Sequence, residues 1–246
     1  MVYLEPFLGS GAVFFNKNPG AVETINDLDS NIVNLFQILR DRPDDLKRVI
    51  ELTPYSREEC KNAMESFEHP DPLEMARRYL VRVMQCVGAK SNARGSWRIE
   101  PRPYPGGAAK KWCDMPDVID EAVERLRSKP GNLVQIEHTD ALDLIQRFNT
   151  PDCLMFLDPP YLRSTRKSGT LYRHEMNIDD HKRMLSLITQ SRAKIIISGY
   201  ESELYNTALQ SWHKDSIKSR TTSTEIATET IWFNYYPRIE QMTCFK

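Results

Sequence analysis

The apolar run Cys153-Leu154-Met155-Phe156-Leu157 leads directly into the tetrapeptide Asp158-Pro159-Pro160-Tyr161. A short apolar run that ends at prolines is typical of a strand buried on both faces, as in the middle of a parallel sheet. Two prolines fix φ and remove two backbone donors, so the loop after this strand is expected to be rigid, with its acid held in an extended conformation. Open α/β sheets bind ligands outside the carboxyl ends of their strands, which makes this loop the first candidate for a site.

The groups in this loop suit the binding of a flat aromatic amine, such as the exocyclic nitrogen of adenine. Asp158 and the carbonyl of Pro159 provide two acceptors, Pro160 stiffens the backbone, and Tyr161 offers an aromatic face for stacking. Two acceptors that hold the two amine hydrogens favour a pyramidal nitrogen, so the loop would act by positioning and charge stabilisation. The alternative is a stiff turn in which the aspartate serves only as a turn former.

Length and composition restrict the class of protein. The chain has 246 residues and a net charge of −1, which fits one large α/β domain, or one domain with an insertion, and restricts any nucleic-acid contact to a local surface. Its five cysteines form no C-x-x-C pair and its five histidines have no ligand spacing, which favours a reducing compartment and argues against a metal site. No membrane-spanning or signal-peptide pattern occurs, so we expect a cytoplasmic protein that does not associate with membranes.

The beginning of the chain predicts a turn of the kind that approaches nucleotides. A strand over Val2–Glu5 runs into Pro6-Phe7-Leu8-Gly9-Ser10-Gly11, and a helical pattern starts at Ala12. Glycine leaves no Cβ in the way and tolerates φ > 0, so backbone at such a turn can lie close to a ligand. Taken alone, this glycine pattern is equally compatible with an ordinary strand-to-helix turn.

A second strand is predicted over Val22–Ile25, and it ends at Asn26-Asp27. An acid at this position, about twenty residues after a glycine turn, is where doubly wound folds bind ribose hydroxyls. Asp27 is therefore a candidate cofactor ligand. The alternative is that Asp27 or Asp29 only caps the helix that follows as far as Arg40.

Between these strands and the next, the pattern changes to helices and then to a basic segment. Residues 46–86 have helical periodicity with breaks at Pro54 and around Pro70, which predicts an insertion into the alternating β-α units. Cations and planar side chains then alternate over residues 88–112, in a composition typical of loops or hairpins. Such a segment suits phosphate contacts, base-edge hydrogen bonds and stacking, although it also fits a solvated surface loop. The candidate DNA contacts here are Lys90, Asn92, Arg94, Trp97 and Arg98.

The rest of the chain returns to alternating strands and helices. A third strand is predicted over Leu133–Ile136, and Asp140 then begins the helix Ala141–Phe148, either as a cap or as a contact to the base of a cofactor. A buried strand over Lys194–Ser198 follows the central one, and strands over His213–Lys218 and Thr230–Tyr235 close the chain. These last strands suit an antiparallel edge on a parallel sheet.

A second basic loop follows the tetrapeptide and contains Arg163, Arg166 and Lys167. A cationic loop beside a reactive site would be placed to hold a DNA strand. A surface loop without this role is the alternative.

Taken together, the motifs resemble those of the Dam-type DNA adenine methyltransferases. The matches are Pro6-Phe7-x-Gly9-x-Gly11, Asn26-Asp27 and Asp158-Pro159-Pro160-Tyr161, in the family's order and separation. Weaker matches occur at Asn92-x-Arg94-Gly95-x-Trp97, at His181 and over residues 230–235. The resemblance therefore extends over nearly the whole chain.

The resemblance implies a Rossmann-like, doubly wound, mostly parallel sheet with an antiparallel C-terminal edge strand and a helical recognition insertion. The catalytic domain would comprise residues 1–52 and 113–246, and the insertion residues 53–112. The implied methyl donor is S-adenosylmethionine, the partner is double-stranded DNA with the target adenine flipped out of the helix, and no metal is needed. A monomer is expected. The implied donor-binding residues are Glu5, Pro6, Phe7, Gly9, Gly11, Asp27, Asp140 and Asp158.

Two departures from the family pattern leave alternatives open. Family members carry a segment upstream of the first strand that helps to close the donor pocket, whereas Met1 directly precedes that strand here. A DNA-binding protein with impaired catalysis is therefore one alternative. Methylation of RNA or of a protein amide is another, although glutamine methyltransferases of similar fold have Asn in place of Asp158. The short stretch over residues 88–92 also prevents the target sequence from being carried over from relatives.

Overall fold

The computed structural model describes residues 1–66, 68–87, 96–100, 107–166, 173–220 and 226–236. Within these ranges a short 3₁₀-helix (Arg163–Thr165) follows the predicted catalytic loop. The other elements follow in chain order: β1 (Val2–Glu5), α1 (Ala12–Asn16), β2 (Val22–Asn26), α2 (Ser30–Asp41), α3 (Pro43–Glu51), α4 (Arg57–Glu65), α5 (Pro72–Gln85), β3 (Cys86–Val87), β4 (Ser96–Trp97), α6 (Ala108–Cys113), α7 (Met115–Leu126), β5 (Leu133–Glu137), α8 (Ala141–Arg147), β6 (Cys153–Leu157), α9 (Ile178–Thr189), β7 (Lys194–Gly199), α10 (Glu203–Ala208), β8 (His213–Arg220) and β9 (Ile226–Phe233).

The first of two compact units comprises residues 1–28, 128–169 and 174–246 and contains a seven-stranded sheet. Its strand order is β5-β2-β1-β6-β7-β9-β8. The first five strands are parallel, whereas β9 runs antiparallel to both β7 and β8. The predicted Rossmann-like α/β fold, mostly parallel with an antiparallel C-terminal edge, is therefore confirmed.

The strand order reverses direction between β1 and β6. From β1 the chain goes to β2 and β5 on one side, and the later strands β6 and β7 lie on the other side. In open α/β sheets a reversal of this kind opens a crevice at the carboxyl ends of the two central strands. The fold thereby specifies where a ligand would bind, before any side chain is considered.

The central strands are buried because the sheet continues on both sides of them and core side chains cover their faces. Leu4, Met155, Leu157, Ile195 and Ile197 are all fully buried in one cluster. By contrast, β5 is an edge strand whose apolar side chains are partly exposed, with an exposed fraction of 44% at Leu133. The continuous apolar runs of β6 and β7 thus predicted a central position correctly.

The second unit comprises residues 29–127 together with 170–173, and contains α2 to α7 and the two-stranded sheet β3-β4. Its core includes Phe36, Leu46, Ile50 and Trp112, and the indole of Trp112 donates to the carbonyl of Thr53 at 2.8 Å. Helices α2 and α3 pack with α5, and α7 packs with α2 and α3, so the compact unit is larger than the insertion predicted over residues 53–112. The target-recognition role of that insertion stays a prediction.

Three local features were not foreseen in the sequence. Helix α10 lies between β7 and β8, and β9 begins at Ile226 rather than Thr230, so the polar connection before it is shorter than predicted. Cys60 and Cys86, which are 26 residues apart, form a disulfide between α4 and β3. The interpretation of the scattered cysteines as thiols of a reducing compartment did not anticipate this bond, because sequence separation says nothing about packing of α4 against β3.

Two kinds of feature are absent from the described residues. Among their helices, none combines the length and the apolar composition that a membrane span requires. Within the same part of the chain, no three histidine, cysteine or acidic side chains are grouped so that they could hold a metal ion.

Candidate active site

The glycine turn and the Asp158 loop lie next to each other at the carboxyl end of the sheet. Strands β1 and β6 are parallel neighbours, and Leu4 pairs in register with Met155. The loops that follow the two strands therefore leave the sheet side by side, at the reversal of strand order. This adjacency is the arrangement that the predicted chemistry requires.

The glycine turn after β1 needs both of its glycines, for different reasons. Gly9 has φ +52° and Gly11 has φ +67°, in the left-handed region that favours glycine. A Cβ at Gly11 would lie 2.8 Å from the ring of Phe15, whereas a Cβ at Gly9 would have no atom within 4 Å. Gly11 thus allows close packing of α1, and Gly9 leaves the surface of the turn open to a ligand.

Asp27 is tied to this turn. Its Oδ2 accepts a hydrogen bond from the amide of Gly9 at 2.8 Å. The cap of α2 is instead Asp29, whose Oδ1 accepts from the amide of Asn31 at 3.0 Å. Of the two roles considered for Asp27, capping is therefore taken by its neighbour, and Asp27 lies at the carboxyl end of β2 as a ribose-binding acid would.

Asn26 joins three loops at this edge of the sheet. Its amide nitrogen donates to the carbonyl of Pro6 at 2.9 Å and to that of Thr139 at 3.1 Å, and its Oδ1 accepts from the amide of Thr139 at 2.9 Å. The side chain is buried, with an exposed fraction of 1%. A buried amide with these bonds is satisfied, and it sets the spacing between the loops that follow β1, β2 and β5.

Glu5, the last residue of β1, is a buried acid beside the Asp158 loop. The hydroxyl of Tyr3 donates to its Oε2 at 2.5 Å. Burial raises the pKa of Glu5 from 4.5 to about 7, with the negative charge of Asp158 adding to the rise, while the Tyr3 hydrogen bond and the positive charge of Lys17 oppose it. Perturbed acids of this kind are concentrated at functional sites, because a ligand can supply the missing positive charge.

The Asp158 loop presents its acid to solvent on a buried backbone. Asp158 is exposed, Pro159 is buried, and Pro160 and Tyr161 are partly buried. Burial, the negative charges of Asp158 and Glu229, and a hydrogen bond with Asp158 together raise the pKa of Tyr161. Tyr161 is therefore a neutral phenol at physiological pH, and the side chain of Asp158 is exposed to solvent.

The neighbouring strand β7 contributes two side chains to this loop. The hydroxyl of Ser198 lies 2.8 Å from Asp158 Oδ1 and 3.2 Å from the carbonyl of Leu157. The ring of Tyr200 meets that of Tyr161 edge to face, with centroids 4.9 Å apart and planes at 73°. Neither residue was predicted as part of the site, because a serine and a tyrosine after an apolar strand carry no motif.

The other predicted donor-binding residues occupy positions at the same edge. Phe7 packs against the core cluster of the first unit, and Pro6 is buried. Asp140 Oδ1 accepts from the amide of Leu142 at 2.7 Å and so caps α8. The cap was one of the two roles considered for Asp140, and its contact with a cofactor stays a prediction.

The insertion's predicted DNA contacts are only partly described. Strands β3 and β4 form an antiparallel pair in which Cys86 lies opposite Trp97, so the segment between them is bounded by a short hairpin ladder. The guanidinium of Arg57 lies over the Trp97 ring at 5.0 Å, and Arg98 is exposed. Lys90, Asn92 and Arg94 lie outside the described residues, as does Lys167.

The basic loop after the tetrapeptide differs from the expectation in one respect. Arg163 is exposed in the 3₁₀-helix, whereas the side chain of Arg166 is 3% exposed and forms an ion pair with Glu175, with an Nη1–Oε1 distance of 3.1 Å. A buried, paired guanidinium is not presented to a phosphate. The pairing with Glu175, the acid that follows the loop in sequence, explains the burial of Arg166, so a phosphate contact by Arg166 is not supported. A DNA contact by Arg163 stays a prediction.

The sequence is similar to a known protein family and to individual methyltransferases. A family model described as D12 class N6 adenine-specific DNA methyltransferase matches residues 1–226. A Type II methyltransferase, M1.LlaDCHI, of Lactococcus lactis subsp. cremoris is 27% identical over 82% of this chain and 73% of its own length. A DNA adenine methylase of Serratia marcescens is 26% identical over 82% of this chain and 75% of its own length.

A solved structure was also found to be similar. The rRNA methyltransferase aviRa from Streptomyces viridochromogenes has 14% sequence identity and a TM-score of 0.31, covering 94% of this chain and 75% of its own. A likeness at this level supports no conclusion about substrate.

Proposed function

The chain belongs to the D12 class of N6 adenine-specific DNA methyltransferases, and we propose that it methylates a flipped adenine with S-adenosylmethionine as the donor. The family establishes the enzyme class and the need for a methyl donor. The observation that carries the finer proposal is the adjacency of the loops after β1 and β6 at the reversal of strand order. A donor in one loop and an acceptor in the other would meet there.

The residues of the first unit fit the proposed donor. Gly9 leaves open space at the turn, Asp27 is fixed at the end of β2 for ribose hydroxyls, and Glu5 is a buried acid that would complement a positive charge. Pro6, Phe7, Gly11 and Asp140 complete the proposed donor site. When bound, S-adenosylmethionine supplies a methyl group activated by a sulfonium.

The residues of the Asp158 loop would hold the acceptor. Asp158 and the carbonyl of Pro159 would accept hydrogen bonds from the amine of adenine, Pro160 would keep the loop stiff, and Tyr161 would stack on the base. A carboxylate close to the amine stabilises the positive charge that develops on nitrogen during transfer. Because Asp158 is exposed, the proton that the amine loses afterwards has a path to water. The displacement itself needs only alignment and no metal.

The proposed partner is double-stranded DNA, from which the adenine must leave the stack because its amine is otherwise buried in a base pair. The proposed contacts in the insertion are the exposed Arg98 and the partly buried Trp97 at the hairpin ladder, together with Lys90, Asn92 and Arg94. Arg163 and Lys167 remain the proposed contacts beside the tetrapeptide, whereas Arg166 is buried against Glu175 and is not proposed as a DNA contact. We further propose a cytoplasmic monomer.

The test is transfer of a labelled methyl group from S-adenosylmethionine to unmethylated DNA, followed by digestion to nucleosides and mass spectrometry. We expect N6-methyladenine as the product. Asp158→Ala is expected to lower the rate about a hundredfold to a thousandfold, with DNA affinity changed less than about twofold, because it removes charge stabilisation but no phosphate contact.

A matched control is Asp152→Ala, which removes an exposed acid at the opposite end of β6. Equal rates for Asp158→Ala and wild type would remove Asp158 from the mechanism. Transfer to RNA or protein, but not to DNA, would replace the proposed substrate. DNA binding without transfer to any substrate would identify a DNA-binding protein with impaired catalysis.

A further inference from the structure

The carboxyl end of β7 lies alongside the catalytic loop because β7 is the parallel neighbour of β6. Leu157 pairs in register with Ile197, so the next residues along the two strands, Asp158 and Ser198, are side by side. Side chains alternate along a strand, so Ser198 is on one face of β7 and Gly199, its last residue, is on the other, and Tyr200 follows directly after the strand. A Cβ at Gly199 would lie 3.5 Å from the Trp232 ring, so that other face is the packed one.

Ser198 acts on the carboxylate of Asp158. Its hydroxyl lies 2.8 Å from Asp158 Oδ1 and 3.2 Å from the carbonyl of Leu157, and it is also hydrogen-bonded with the side chain of Tyr161. The shorter bond, to the charged group, is the stronger one. Rotation of a carboxylate about its last torsion is soft, so a hydrogen bond from a buried strand residue restricts the direction in which Asp158 accepts from a ligand.

Tyr200 acts on the ring of Tyr161. The two rings meet edge to face at 4.9 Å between centroids, an arrangement that aromatic pairs prefer. The contact with Tyr200 limits rotation of the Tyr161 ring, whose hydroxyl is also hydrogen-bonded with Asp158 and Ser198. Together these contacts restrict the plane in which Tyr161 can stack on a base.

From these contacts we propose that the end of β7 is the positioning element of the catalytic loop: Ser198 orients the Asp158 carboxylate, and Tyr200 orients the Tyr161 ring. This inference rests on the proposed function and adds two positioning residues to it. Neither side chain needs to touch the substrate. Each acts through a residue that does, so its loss should slow the transfer step and leave binding of donor and DNA nearly unchanged.

The test compares single-turnover rates of methyl transfer at saturating S-adenosylmethionine and unmethylated DNA. Ser198→Ala is expected to lower the rate about tenfold to a hundredfold, as for loss of a hydrogen bond to a charged group, with KM for donor and DNA changed less than about twofold. Ser198→Thr keeps the hydroxyl on a strand and should restore most of the rate. Thermal unfolding of each variant establishes that it is folded.

Tyr200 is tested with two variants that separate its ring from its hydroxyl. Tyr200→Phe keeps the edge-to-face contact and should retain nearly the wild-type rate. Tyr200→Leu removes the contact and should lower the rate about threefold to tenfold.

The matched control is Thr24→Val, which removes a buried strand hydroxyl whose partner, Gln135 at 2.8 Å, lies away from the catalytic loop. It should leave the rate unchanged.

The outcomes separate this inference from the proposed function. If the wild-type protein transfers methyl groups to DNA and Ser198→Ala does so at the same rate, the role of Ser198 is overturned while the proposed function stands. Equal slowing by Ser198→Ala and Ser198→Thr would also overturn it, because the hydroxyl would then be irrelevant. A wild-type protein that transfers no methyl group to DNA would overturn the proposed function, and the inference with it.

Discussion

Two glutamates, one buried in the first compact unit and one partly buried in the second, have opposite pKa shifts. In the first unit, burial raises the pKa of Glu5 to about 7, and the hydrogen bond from the Tyr3 hydroxyl opposes this rise only in part. Glu74 in the second unit receives hydrogen bonds from Arg77 and Arg78, and its pKa falls to about 2 despite partial burial. The charge state of an acid therefore depends on its hydrogen-bonding and charged neighbours as well as on burial.

The two environments also differ in what they leave for a ligand. Arg77 joins Glu74 to Glu59 on another helix at 2.7 Å, so this charge network is complete within the helical unit and stabilises its packing. At the carboxyl edge of the sheet, the charge of Glu5 is incompletely balanced next to Asp158. An incompletely balanced acid costs stability, which is typical of a site built for a ligand.

The largest expected effect concerns Glu5 in the absence of donor. Its pKa is higher in the folded protein than the ordinary 4.5, so the native state is favoured below pH 4.5 and loses this stability as pH rises through about 7. The difference between these two pKa values of Glu5 corresponds to about 3 kcal/mol in the free energy of unfolding. In urea unfolding from pH 5 to pH 8, the free energy of unfolding should fall with pH in wild type and much less in Glu5→Gln.

The control for that measurement is Glu137→Gln, which changes a partly exposed acid at the end of β5. It should follow the pH dependence of wild type. Parallel curves for wild type and Glu5→Gln would mean that Glu5 is ionised throughout, and the contrast between the two glutamates would fail.

A smaller effect of opposite sign is expected for Glu74. Its pKa is lower in the folded protein, so its stabilisation is present above pH 4.5 and is lost as pH falls through about 2. The side chain is 23% exposed, and we expect about 1 to 2 kcal/mol after screening by solvent. Glu74→Gln should lower the free energy of unfolding at pH 7 by this amount and flatten the acid limb below pH 4.5.

Here the comparison variant is Glu58→Gln, on an exposed acid that contacts Lys61 at 3.6 Å. It should change the free energy of unfolding by less than about 0.5 kcal/mol. A Glu74→Gln protein as stable as wild type at pH 7 would show that the arginines around Glu74 contribute nothing measurable.

The smallest expected effect separates the cations of the second unit that stabilise it from those proposed to bind DNA. Replacing Arg94 and Arg98 with Ala should weaken DNA binding severalfold at physiological salt and lower the slope of log K against log salt by about two. Arg94 lies outside the described residues, and Arg98 is exposed at the hairpin ladder. Fluorescence anisotropy with labelled duplex over a salt series measures both quantities.

Two other exposed arginines of the second unit provide the control: Arg40, paired with Asp41, and Arg127. The double variant Arg40→Ala, Arg127→Ala should leave the slope unchanged. If the slope of log K against log salt is unchanged in the double variant Arg94→Ala, Arg98→Ala, the hairpin does not contact DNA.

Much of the fold followed from local patterns. The apolar run before Asp158 predicted a central strand, and β6 lies between β1 and β7. The family resemblance inferred from the motifs is confirmed by the family match. These predictions succeeded because burial on both faces, proline stiffness and glycine conformation are properties of neighbouring residues.

Predictions that depended on distant partners were less complete. Arg166 was expected in a solvated cationic loop, but it is buried against Glu175. The Cys60–Cys86 bond joins residues on different elements. In both cases the partner was visible in the sequence, and only the packing showed that the two side chains meet.

The amino-acid sequence was sufficient for the α/β class and the family, because both depend on motifs of residues close together in the chain. Tertiary structure alone decided that Ser198 meets Asp158, that Tyr200 meets Tyr161 and that Glu5 titrates near neutral pH. Those properties arise where parallel strands place residues about forty positions apart side by side, and where the surrounding core excludes water. No local pattern encodes either condition.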